Sequence, residues 1–441
     1  MSGIAEVLVN LGYKVSGSDL KATPVTDRLE KMGVRIAIGH YPQNIEGANV
    51  VVTSTAVATQ NPEVMAARTQ GIPVIPRIEM LAEIARLKYT IAIGGTHGKT
   101  TTTSMIAFVL QTGGLDPTVV VGGRLKHLDS GARLGKGDYL VAEADESDGS
   151  FLKLSPALAV ITNIDNDHLD YYGTFDKIAD AFVQYAGRVP FYGCVIACLD
   201  DPHVKVHLPR ISRRVVTYGL EQGARLQGVK IHSTDSSTTF EVHELGKSLG
   251  TITLQVPGRH NVLNALAAVA VGLELEIPFS KIAEGLASYD GVGRRLELKG
   301  DRDGCTVIDD YGHHPTEIRA TLAALKDRYP KRRLVALFQP HRYTRTQSLW
   351  NEFAHAFDKA DVVYIMDIYA ASEDAIPGVT SDLIVSAMKK IHPHAQAAPK
   401  PFSPETIAKE LKKGDIFLTL GAGDVWKVGE QILSGKSTLS R

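Results

Sequence analysis

A glycine-rich turn that carries a lysine, "IAIGGTHGKTTT" at residues 91–102, is the strongest candidate in the chain for chemistry on a phosphate. Lys99 supplies a positive charge that can reach terminal phosphates, and the hydroxyl of Thr100 or Thr101 can ligate Mg²⁺. The spacing is short, because Gly95 stands only three positions before the Gly-Lys pair. The alternative is a plain turn with a solvated lysine. Lysine followed by threonine directly after such a turn favours a nucleotide site.

Acidic residues follow the next two predicted strands. Glu143 is the first acid after the strand "DYLVA", and an acid there, beside a phosphate loop, can hold Mg²⁺. We expect the three acids after it, Asp145, Glu146 and Asp148, to be solvated. His168, in "TNIDNDHLD", is either a second metal ligand or an ordinary packed histidine.

Three polar residues stand at the start of an otherwise apolar helix, "RHNVLNALAAVAVGLEL". His260 and Asn264 are one turn apart, and Asn261 and Asn264 have the i, i+3 spacing that places them on one face. One interpretation is an asparagine N-cap. The other is a set of amide groups directed at a ligand such as a purine edge. The residues alone leave both open.

Two further polar clusters follow strands in the last third of the chain. Ligands gather at the carboxyl ends of parallel strands, so we favour a functional role over a solvated surface for both. The arginine pair of the second cluster has the i, i+3 spacing that can clamp a carboxylate or a phosphate. The residues are Asp309, Asp310, Tyr311, His313 and His314 in "DDYGHHPTEI", and His341, Arg342 and Arg345 in "FQPHRYTRT".

Alternating strands and helices must position these residues. An apolar strand precedes the glycine turn, and a helix with an apolar face follows over residues 100–110. The same alternation runs through the whole chain and predicts an α/β fold with parallel sheets. We expect three units, at residues 1–88, 89–292 and 293–441.

Composition excludes several classes of protein. The chain has 441 residues, 44% of them hydrophobic and 22% charged, with a net charge of −1. The near-neutral net charge argues against nucleic acid as the main partner. The chain has no run of about 18 apolar residues, so no membrane span is predicted. The opening stretch is not typical of a signal peptide. The three cysteines are Cys194, Cys198 and Cys305, and the first two lie in an apolar, strand-like run that predicts core thiols. We therefore expect a cytoplasmic protein.

Taken together, the motifs resemble those of the Mur ligase family, in order and over nearly the whole chain. They are "GTHGKTTT", "EADESD", "TNIDNDHLD", "PGRHNVLNALAA", "GRRLE", "DDYGHHPTEI" and "FQPHRYTRT". The family's phosphate loop has the same short form. The resemblance implies a Rossmann-like domain for a UDP-linked substrate at 1–88, a P-loop ATPase domain at 89–292, and a Rossmann-like domain for the amino acid at 293–441.

The resemblance also implies a role for each candidate residue. Lys99 would hold the γ-phosphate of ATP and Arg295 would reach the phosphates, while His313 is a candidate for the proton-accepting base. Thr100, Glu143 and His168 would hold two Mg²⁺ ions. The nucleotide-binding residues would be Gly95, Thr96, His97, Gly98, Lys99, Thr100, Thr101, His260, Asn261, Asn264 and Asp310. The substrate-binding residues would be Ser18 and Asp19 (of "VSGSDL", residues 15–20, ending at Leu20), with Tyr311, His313, His341, Arg342 and Arg345 around the amino acid.

The implied reaction is ATP-dependent ligation of L-alanine to the lactoyl carboxylate of UDP-N-acetylmuramate, through an acyl phosphate, in peptidoglycan precursor synthesis. No nucleic acid or membrane partner is expected, and the protein would be a monomer or a weak homodimer. One alternative is the murein tripeptide recycling ligase, which acts on the same nucleotide. Another is a non-catalytic nucleotide-binding regulator.

The start of the chain carries a separate expectation. Members of the family have a strand and a glycine-rich loop directly before the stretch that matches "MSGIA" here, so the first strand of the N-terminal domain is expected to be missing. We expect roughly 10–20 further residues to be encoded upstream, a length set by one strand and its loop. The chain as written is then expected to bind ATP well and its UDP substrate poorly.

Overall fold

A computed structural model describes residues 1–54, 57–125, 130–234, 236–391, 395–398 and 403–435. These residues divide into two compact units. The first comprises Met1–Lys230, Phe240–Ile252 and Leu263–Tyr289, and the second Ile231–Thr239, Thr253–Val262 and Asp290–Arg441.

Across those described ranges, no helix combines the length and the apolar character needed to cross a lipid bilayer.

The first unit opens with four helices and four short strands. The helices are α1 (Ser2–Asn10), α2 (Pro24–Lys31), α3 (Pro62–Thr69) and α4 (Arg77–Arg86). The strands are β1 (Ser16–Asp19), β2 (Arg35–Ile38), β3 (Val51–Thr53) and β4 (Val74–Pro76). β1 pairs with β2 and β3 with β4, both in parallel, as two separate sheets.

Local sequence explains where these helices begin. Thr23 and Thr26 form a capping box at the start of α2, in which each side chain accepts the other residue's N–H. Asn61 caps α3 by accepting the N–H of Glu63 at 2.9 Å. A proline follows each cap, where its missing N–H costs nothing.

A ten-stranded sheet forms the body of the first unit. Its order is β14-β13-β12-β11-β10-β9-β5-β8-β6-β7. The strands are β5 (Tyr89–Gly94), β6 (Thr118–Leu125), β7 (Ser130–Arg133), β8 (Tyr139–Glu143), β9 (Leu158–Ile161), β10 (Cys194–Cys198), β11 (Val215–Gly219), β12 (Leu226–Ser233), β13 (Thr238–Glu244) and β14 (Lys247–Leu254). The helices are α5 (Lys99–Thr112), α6 (Leu169–Tyr172), α7 (Phe175–Gly187), α8 (Pro202–His207), α9 (Arg259–Glu274) and α10 (Phe279–Ala287).

β5 lies inside this sheet, parallel to β8 on one side and β9 on the other. Ile91, Ala92 and Ile93 are fully buried, which accounts for the continuous apolar run that predicted the strand. At the carboxyl end, Ile93 pairs with Glu143 and Gly94 with Ile161. The loops after these three strands therefore begin side by side.

The second unit is built on a six-stranded sheet with the order β15-β16-β20-β17-β18-β19. Its strands are β15 (Glu297–Arg302), β16 (Cys305–Asp310), β17 (Leu334–Phe338), β18 (Val362–Ile365), β19 (Ala395–Ala397) and β20 (Ile416–Leu420). Its helices are α11 (Pro315–Arg328), α12 (Tyr343–Ala354), α13 (Asp382–Met388), α14 (Pro404–Ala408) and α15 (Trp426–Ser434). All strand pairs are parallel except β15 with β16.

Three of the four inner strands of this sheet, β16, β20 and β17, end at the same level. Leu420, the last residue of β20, pairs with Asp310 of β16 and with Phe338 of β17. The two polar clusters predicted from the sequence follow β16 and β17 directly. The topology therefore brings them to one edge of the sheet, as expected for a parallel fold.

Candidate functional site

The glycine turn joins β5 to α5, which begins at Lys99. Gly95 and Gly98 have φ angles of +134° and +82°, which L side chains rarely adopt. A Cβ on Gly95 would collide with the Thr162 hydroxyl, and one on Gly98 would lie 2.8 Å from Asn264 Oδ1. The turn therefore needs both glycines. The first N–H groups of α5 have no acceptor within the helix and suit an anion.

Lys99 is held inside this turn. Its Nζ donates to two carbonyl groups of the turn, at 2.7 and 3.1 Å, and forms an ion pair with Glu146 at 2.8 Å. Burial alone would lower the pKa of Lys99, but the carboxylates of Glu146, Asp145 and Glu143 outweigh it and raise that pKa. The lysine therefore stays charged, as a phosphate ligand must.

The expectation that Asp145, Glu146 and Asp148 are solvated is wrong. Glu146 is only 1% exposed, and the other two are partly buried. The ion pair with Lys99 compensates the buried carboxylate of Glu146. Asp145 and Asp148 each accept the backbone N–H two residues further on, at 3.1 and 3.0 Å, which shapes the loop as two successive Asx turns.

The three residues expected to hold metal lie around this lysine. Glu143 ends β8, and its Oε2 lies so close to Gly122 of β6 that a Cβ there would approach it to 2.7 Å. Thr100 is in the first turn of α5 and is partly exposed. His168 immediately precedes α6 and has a φ of +56°, and its Nε2 is 3.7 Å from Glu146 Oε1.

Residues of the loop after β9 also form hydrogen bonds with the glycine turn. Asn163 Oδ1 accepts the N–H of His97 at 2.8 Å, and Asn163 Nδ2 donates to the His97 carbonyl at 3.0 Å. The Thr96 hydroxyl accepts the N–H of Asp165 at 2.9 Å, and His97 Nε2 lies 3.0 Å from an Asp165 oxygen. Thr96 and His97 thus shape the turn, and Asn163 is a residue that the sequence analysis missed.

The polar residues of α9 have different partners. Asn264 Oδ1 accepts the Thr102 hydroxyl at 3.1 Å and touches the glycine turn at Gly98. Asn261 Nδ2 donates to the carbonyl of Pro257 at 2.6 Å, just before the helix. Burial, and then the charge of Arg295, lower the pKa of His260 to about 4. The His260 imidazole is therefore neutral at physiological pH.

In the second unit, two consecutive arginines precede β15. Arg294 donates to Asp309 and to two backbone carbonyls. Arg295 forms an ion pair with Glu317 at 3.2 Å. Both guanidinium groups lie against the ring of Tyr311, at 5.0 and 5.3 Å from its centroid.

Asp310 ends β16 and is only 4% exposed. Its two oxygens accept the N–H groups of Leu296 and Gly312, each at 2.7 Å. Burial raises the pKa of Asp310 to about 6, although Arg295 opposes the shift. Any contact with a ribose would use the remaining lone pairs of oxygens that are already engaged.

Four of the five residues expected around the amino acid, Tyr311, His313, His341 and Arg345, form one cluster. The His313 ring contacts those of Tyr311 and His341, at 5.4 and 5.7 Å between centroids. Arg345 is buried, and its Nη1 lies 3.4 Å from His341 Nδ1. Arg342, at the start of α12, is 41% exposed on its side chain.

Two members of this neighbourhood were missed. Tyr369 stacks on His341 with 5.7 Å between centroids and an interplanar angle of 10°. Glu317 forms an ion pair with Arg295 and accepts the backbone N–H of His313 at 3.0 Å. The acid three residues after His314 is the capping-box spacing and could have identified Glu317. No local signal identifies Tyr369.

Ser18 belongs to a polar network in the N-terminal part of the first unit, at the end of β1. Its hydroxyl lies 2.9 Å from His40 Nδ1 and donates to Glu63 at 2.9 Å. Asn44 also donates to Glu63, at 2.7 Å. Asp19 follows Ser18 and ends β1. His40, Asn44 and Glu63 are distant from Ser18 in sequence and were not predicted.

Family models match most of the chain. Residues 1–89 match "Mur ligase family, catalytic domain", residues 93–272 "Mur ligase middle domain", and residues 294–423 "Mur ligase, glutamate ligase domain".

Curated relatives are similar over nearly their full length. The UDP-N-acetylmuramate–L-alanine ligase of Endomicrobium trichonymphae is 55% identical over 434 residues, covering 98% of this chain and 96% of that protein. The protein of the same name from Trichlorobacter lovleyi is 54% identical over 439 residues, with 98% and 96% covered.

Among solved structures, the UDP-N-acetylmuramate-alanine ligase MurC of Thermotoga maritima superimposes with a TM-score of 0.82 at 29% identity, covering 99% of this chain and 96% of that one. A murein peptide ligase from Psychrobacter arcticus gives a TM-score of 0.71 at 25% identity, with 98% and 96% covered. From the matched motifs, the ordered family models and the identity over almost the whole length, it follows that this chain belongs to the Mur ligase family.

Proposed function

We propose that this chain joins L-alanine to the lactoyl carboxylate of UDP-N-acetylmuramate at the expense of ATP, in peptidoglycan precursor synthesis. The observation that carries the proposal is identity of 51–55% over 98% or more of the chain to relatives that are named UDP-N-acetylmuramate–L-alanine ligase. The short phosphate loop, with its charged lysine held in place, supports an ATP-consuming reaction.

In the first step, the lactoyl carboxylate attacks the γ-phosphorus of ATP. A new P–O bond forms, the bond to ADP breaks, and the product is an acyl phosphate. Lys99 and Arg295 would offset the charge that spreads over the transferring oxygens. Lys99 is already positioned by the turn, so it needs only to exchange Glu146 for phosphate.

Thr100, Glu143 and His168 would hold Mg²⁺, with two ions as the proposed number. The hydroxyl of Thr100 and the carboxylate of Glu143 are the hard oxygen donors that this ion prefers, and the absence of a side chain at Gly122 leaves room beside the carboxylate. When bound, Mg²⁺ would neutralise charge on the phosphate oxygens.

In the second step, the neutral amine of L-alanine attacks the acyl carbonyl and phosphate leaves. An ammonium group cannot attack, so a base must accept a proton. His313 is the proposed base. Its Nδ1 lies 3.0 Å from the carbonyl of Tyr311, which fixes the tautomer with Nε2 as the basic nitrogen. Tyr311, His341, Arg342 and Arg345 would bind the amino acid, with the arginines on its carboxylate.

The remaining assignments are part of the same proposal. His260, Asn261, Asn264 and Asp310 would contact ATP, and Ser18 and Asp19 the UDP substrate. The three domains would be 1–88, 89–292 and 293–441, in a cytoplasmic monomer or weak homodimer.

A trapping experiment tests the mechanism. With ATP, UDP-N-acetylmuramate and hydroxylamine but no alanine, the acyl phosphate is expected to yield a hydroxamate of UDP-N-acetylmuramate, detected by mass spectrometry. Hydroxamate must be absent when ATP is omitted. Alanine-dependent phosphate release without any trapped hydroxamate at saturating hydroxylamine would contradict an acyl-phosphate route.

A further inference from the structure

The backbone turn that carries Arg295 is strained and firmly tied down. Arg294 and Leu296 have φ angles of +60° and +45°, a region that residues other than glycine seldom occupy. Such backbone persists only where the surrounding structure enforces it, and it is found most often at functional sites.

Hydrogen bonds of the Arg294 guanidinium group help to hold the strained turn in place. Its Nε donates to Asp309 at 2.9 Å, its Nη1 to the carbonyl of Gly423 at 3.2 Å and its Nη2 to that of Gly421 at 2.6 Å. Asp309 precedes Asp310 in β16, is only 1% exposed, and also accepts the Thr419 hydroxyl. All three nitrogens of Arg294 are therefore used within the second unit.

Backbone contacts supply the rest. The N–H of Arg294 donates to Glu297 at 2.7 Å, the N–H of Leu296 donates to Asp310 at 2.7 Å, and the carbonyl of Arg294 accepts the N–H of Tyr311 at 2.7 Å. The residue between these two clamped positions is Arg295. Its backbone has no freedom to shift while the clamps hold.

We propose that Arg294 is a positioning residue for Arg295. It anchors the strained turn to the carboxyl ends of β16 and β20 and thereby sets where the Arg295 guanidinium is held. The proposal rests on the proposed function, because it takes Arg295 as the arginine that acts on the transferring phosphoryl group.

The two arginines differ in a way that fits this division of roles. Arg294 donates through Nε, Nη1 and Nη2 to acceptors of the fold. Arg295 forms an ion pair with Glu317, at the start of α11, and lies against the ring of Tyr311. The pair can be exchanged for phosphate oxygens, whereas releasing Arg294 would leave the buried carboxylate of Asp309 without its cation.

The test is a double-mutant cycle on kcat and KM, with Arg294→Ala, Arg295→Ala and the double variant. Arg295→Ala is expected to lower kcat by roughly 100- to 1,000-fold, as loss of a charge-stabilising donor does. Arg294→Ala is expected to lower kcat by roughly 10- to 100-fold through misplacement, with the KM for ATP within about twofold of wild type. Because Arg294 acts through Arg295, the double variant should match Arg295→Ala within about threefold.

Arg332 provides a matched control. It also lies in the second unit and donates to three acceptors of the fold, the Gly414 carbonyl, the Thr306 hydroxyl and the Asp415 carbonyl, at 2.7–2.8 Å. These acceptors stand at the amino ends of the same two strands, β16 and β20. Arg332→Ala should lower the Tm through the loss of these hydrogen bonds, by less than Arg294→Ala because no buried carboxylate is left without its cation, and should leave kcat unchanged.

Because Arg294→Ala could fail to fold, Arg294→Lys is a second variant. It keeps a positive charge beside Asp309 but can donate through only one nitrogen. It should keep the wild-type fold by circular dichroism and still lose kcat. Multiplicative losses in the double variant, or an equal loss of kcat in Arg332→Ala, would overturn the positioning role. An Arg295→Ala protein with wild-type kcat would instead remove the phosphoryl role of Arg295, while product formation by the wild type would leave the ligase assignment standing.

Discussion

At the scale of single residues, the phosphate loop is organised around one ion pair. Lys99 and Glu146 are both largely buried, with side-chain exposures of 16% and 2%. Each charge makes the other tolerable, since an isolated charge would be costly at this depth. Before ATP binds, Glu146 therefore occupies the position of an anionic ligand for the lysine.

Removing the lysine should have two separable effects. Lys99→Met should abolish phosphate release and also destabilise the fold by about 3 kcal/mol, because it leaves a buried carboxylate without its partner. Adding Glu146→Gln should restore the Tm without restoring turnover. Activity is followed by phosphate release and stability by thermal unfolding. Turnover above a few per cent of wild type in Lys99→Met would refute the assignment of the loop.

Arg342 should act on the amino acid alone. Arg342→Ala removes a proposed carboxylate contact worth about 1.5–3 kcal/mol, so the KM for L-alanine should rise roughly 10- to 150-fold while the KM for ATP stays constant. Arg328→Ala, at the last residue of α11, is the control and should change neither. A raised KM for the nucleotide substrate, with that for alanine unchanged, would move Arg342 to another pocket.

At the scale of elements, periodicity and glycine spacing predicted β5, the turn, α5 and α9, because each depends on residues close in sequence. What could not be predicted depends on residues that are distant. Asn163 meets the glycine turn across 66 positions, and Ser18 meets Glu63 across 45. The burial of Glu146 could not be predicted for the same reason. It depends on the position of Lys99, and an acid in a loop is ordinarily solvated.

Adding even a methyl group in the turn between β5 and α5 should destabilise the protein. Gly98→Ala places a Cβ at positive φ and 2.8 Å from Asn264 Oδ1. It should cost about 1–3 kcal/mol in unfolding free energy and weaken ATP binding, measured by denaturant unfolding and by calorimetry. Gly114→Ala, which has a positive φ of 82° but open space around it, is the control and should cost stability only. Equal ATP affinity in both variants would contradict the role of the turn.

The first turn of α9 should make stability depend on pH. Burial lowers the pKa of His260 in the folded protein to about 4, below its ordinary value of 6.5. Between these values the unfolded chain binds more protons than the folded one, so stability falls as pH falls from about 6.5 to 4. The accumulated loss would reach about 3 kcal/mol once the pH lies below both pKa values. His260→Gln should flatten the fall in Tm over this range, whereas the exposed His355→Gln should not. Parallel Tm profiles for His260→Gln and wild type would show that His260 does not carry the effect.

At the scale of the whole molecule, the order of motifs predicted the family because each motif lies at a strand end or a helix start of an α/β unit. The sequence predicted parallel sheets for the same reason, and the β16-β20-β17 arrangement confirms it in the second unit. The identity of the amino acid is a finer matter. Under the proposed function, it would depend on Arg342, Arg345, His341 and Tyr369. Tyr369 stacks on His341 from a segment that carries no motif.

The most direct test of the central claim is the mass of the product. The protein is incubated with ATP, with UDP-N-acetylmuramate at a concentration high enough that the rate no longer increases, and with one acceptor. The acceptor is L-alanine, D-alanine, glycine, L-serine or the murein tripeptide L-alanyl-γ-D-glutamyl-meso-diaminopimelate. We predict a product heavier than UDP-N-acetylmuramate by one alanyl residue, formed fastest with L-alanine and with one ADP released for each product molecule. Faster ligation of the tripeptide, or ADP release that is independent of both UDP-N-acetylmuramate and amino acid, would contradict the account.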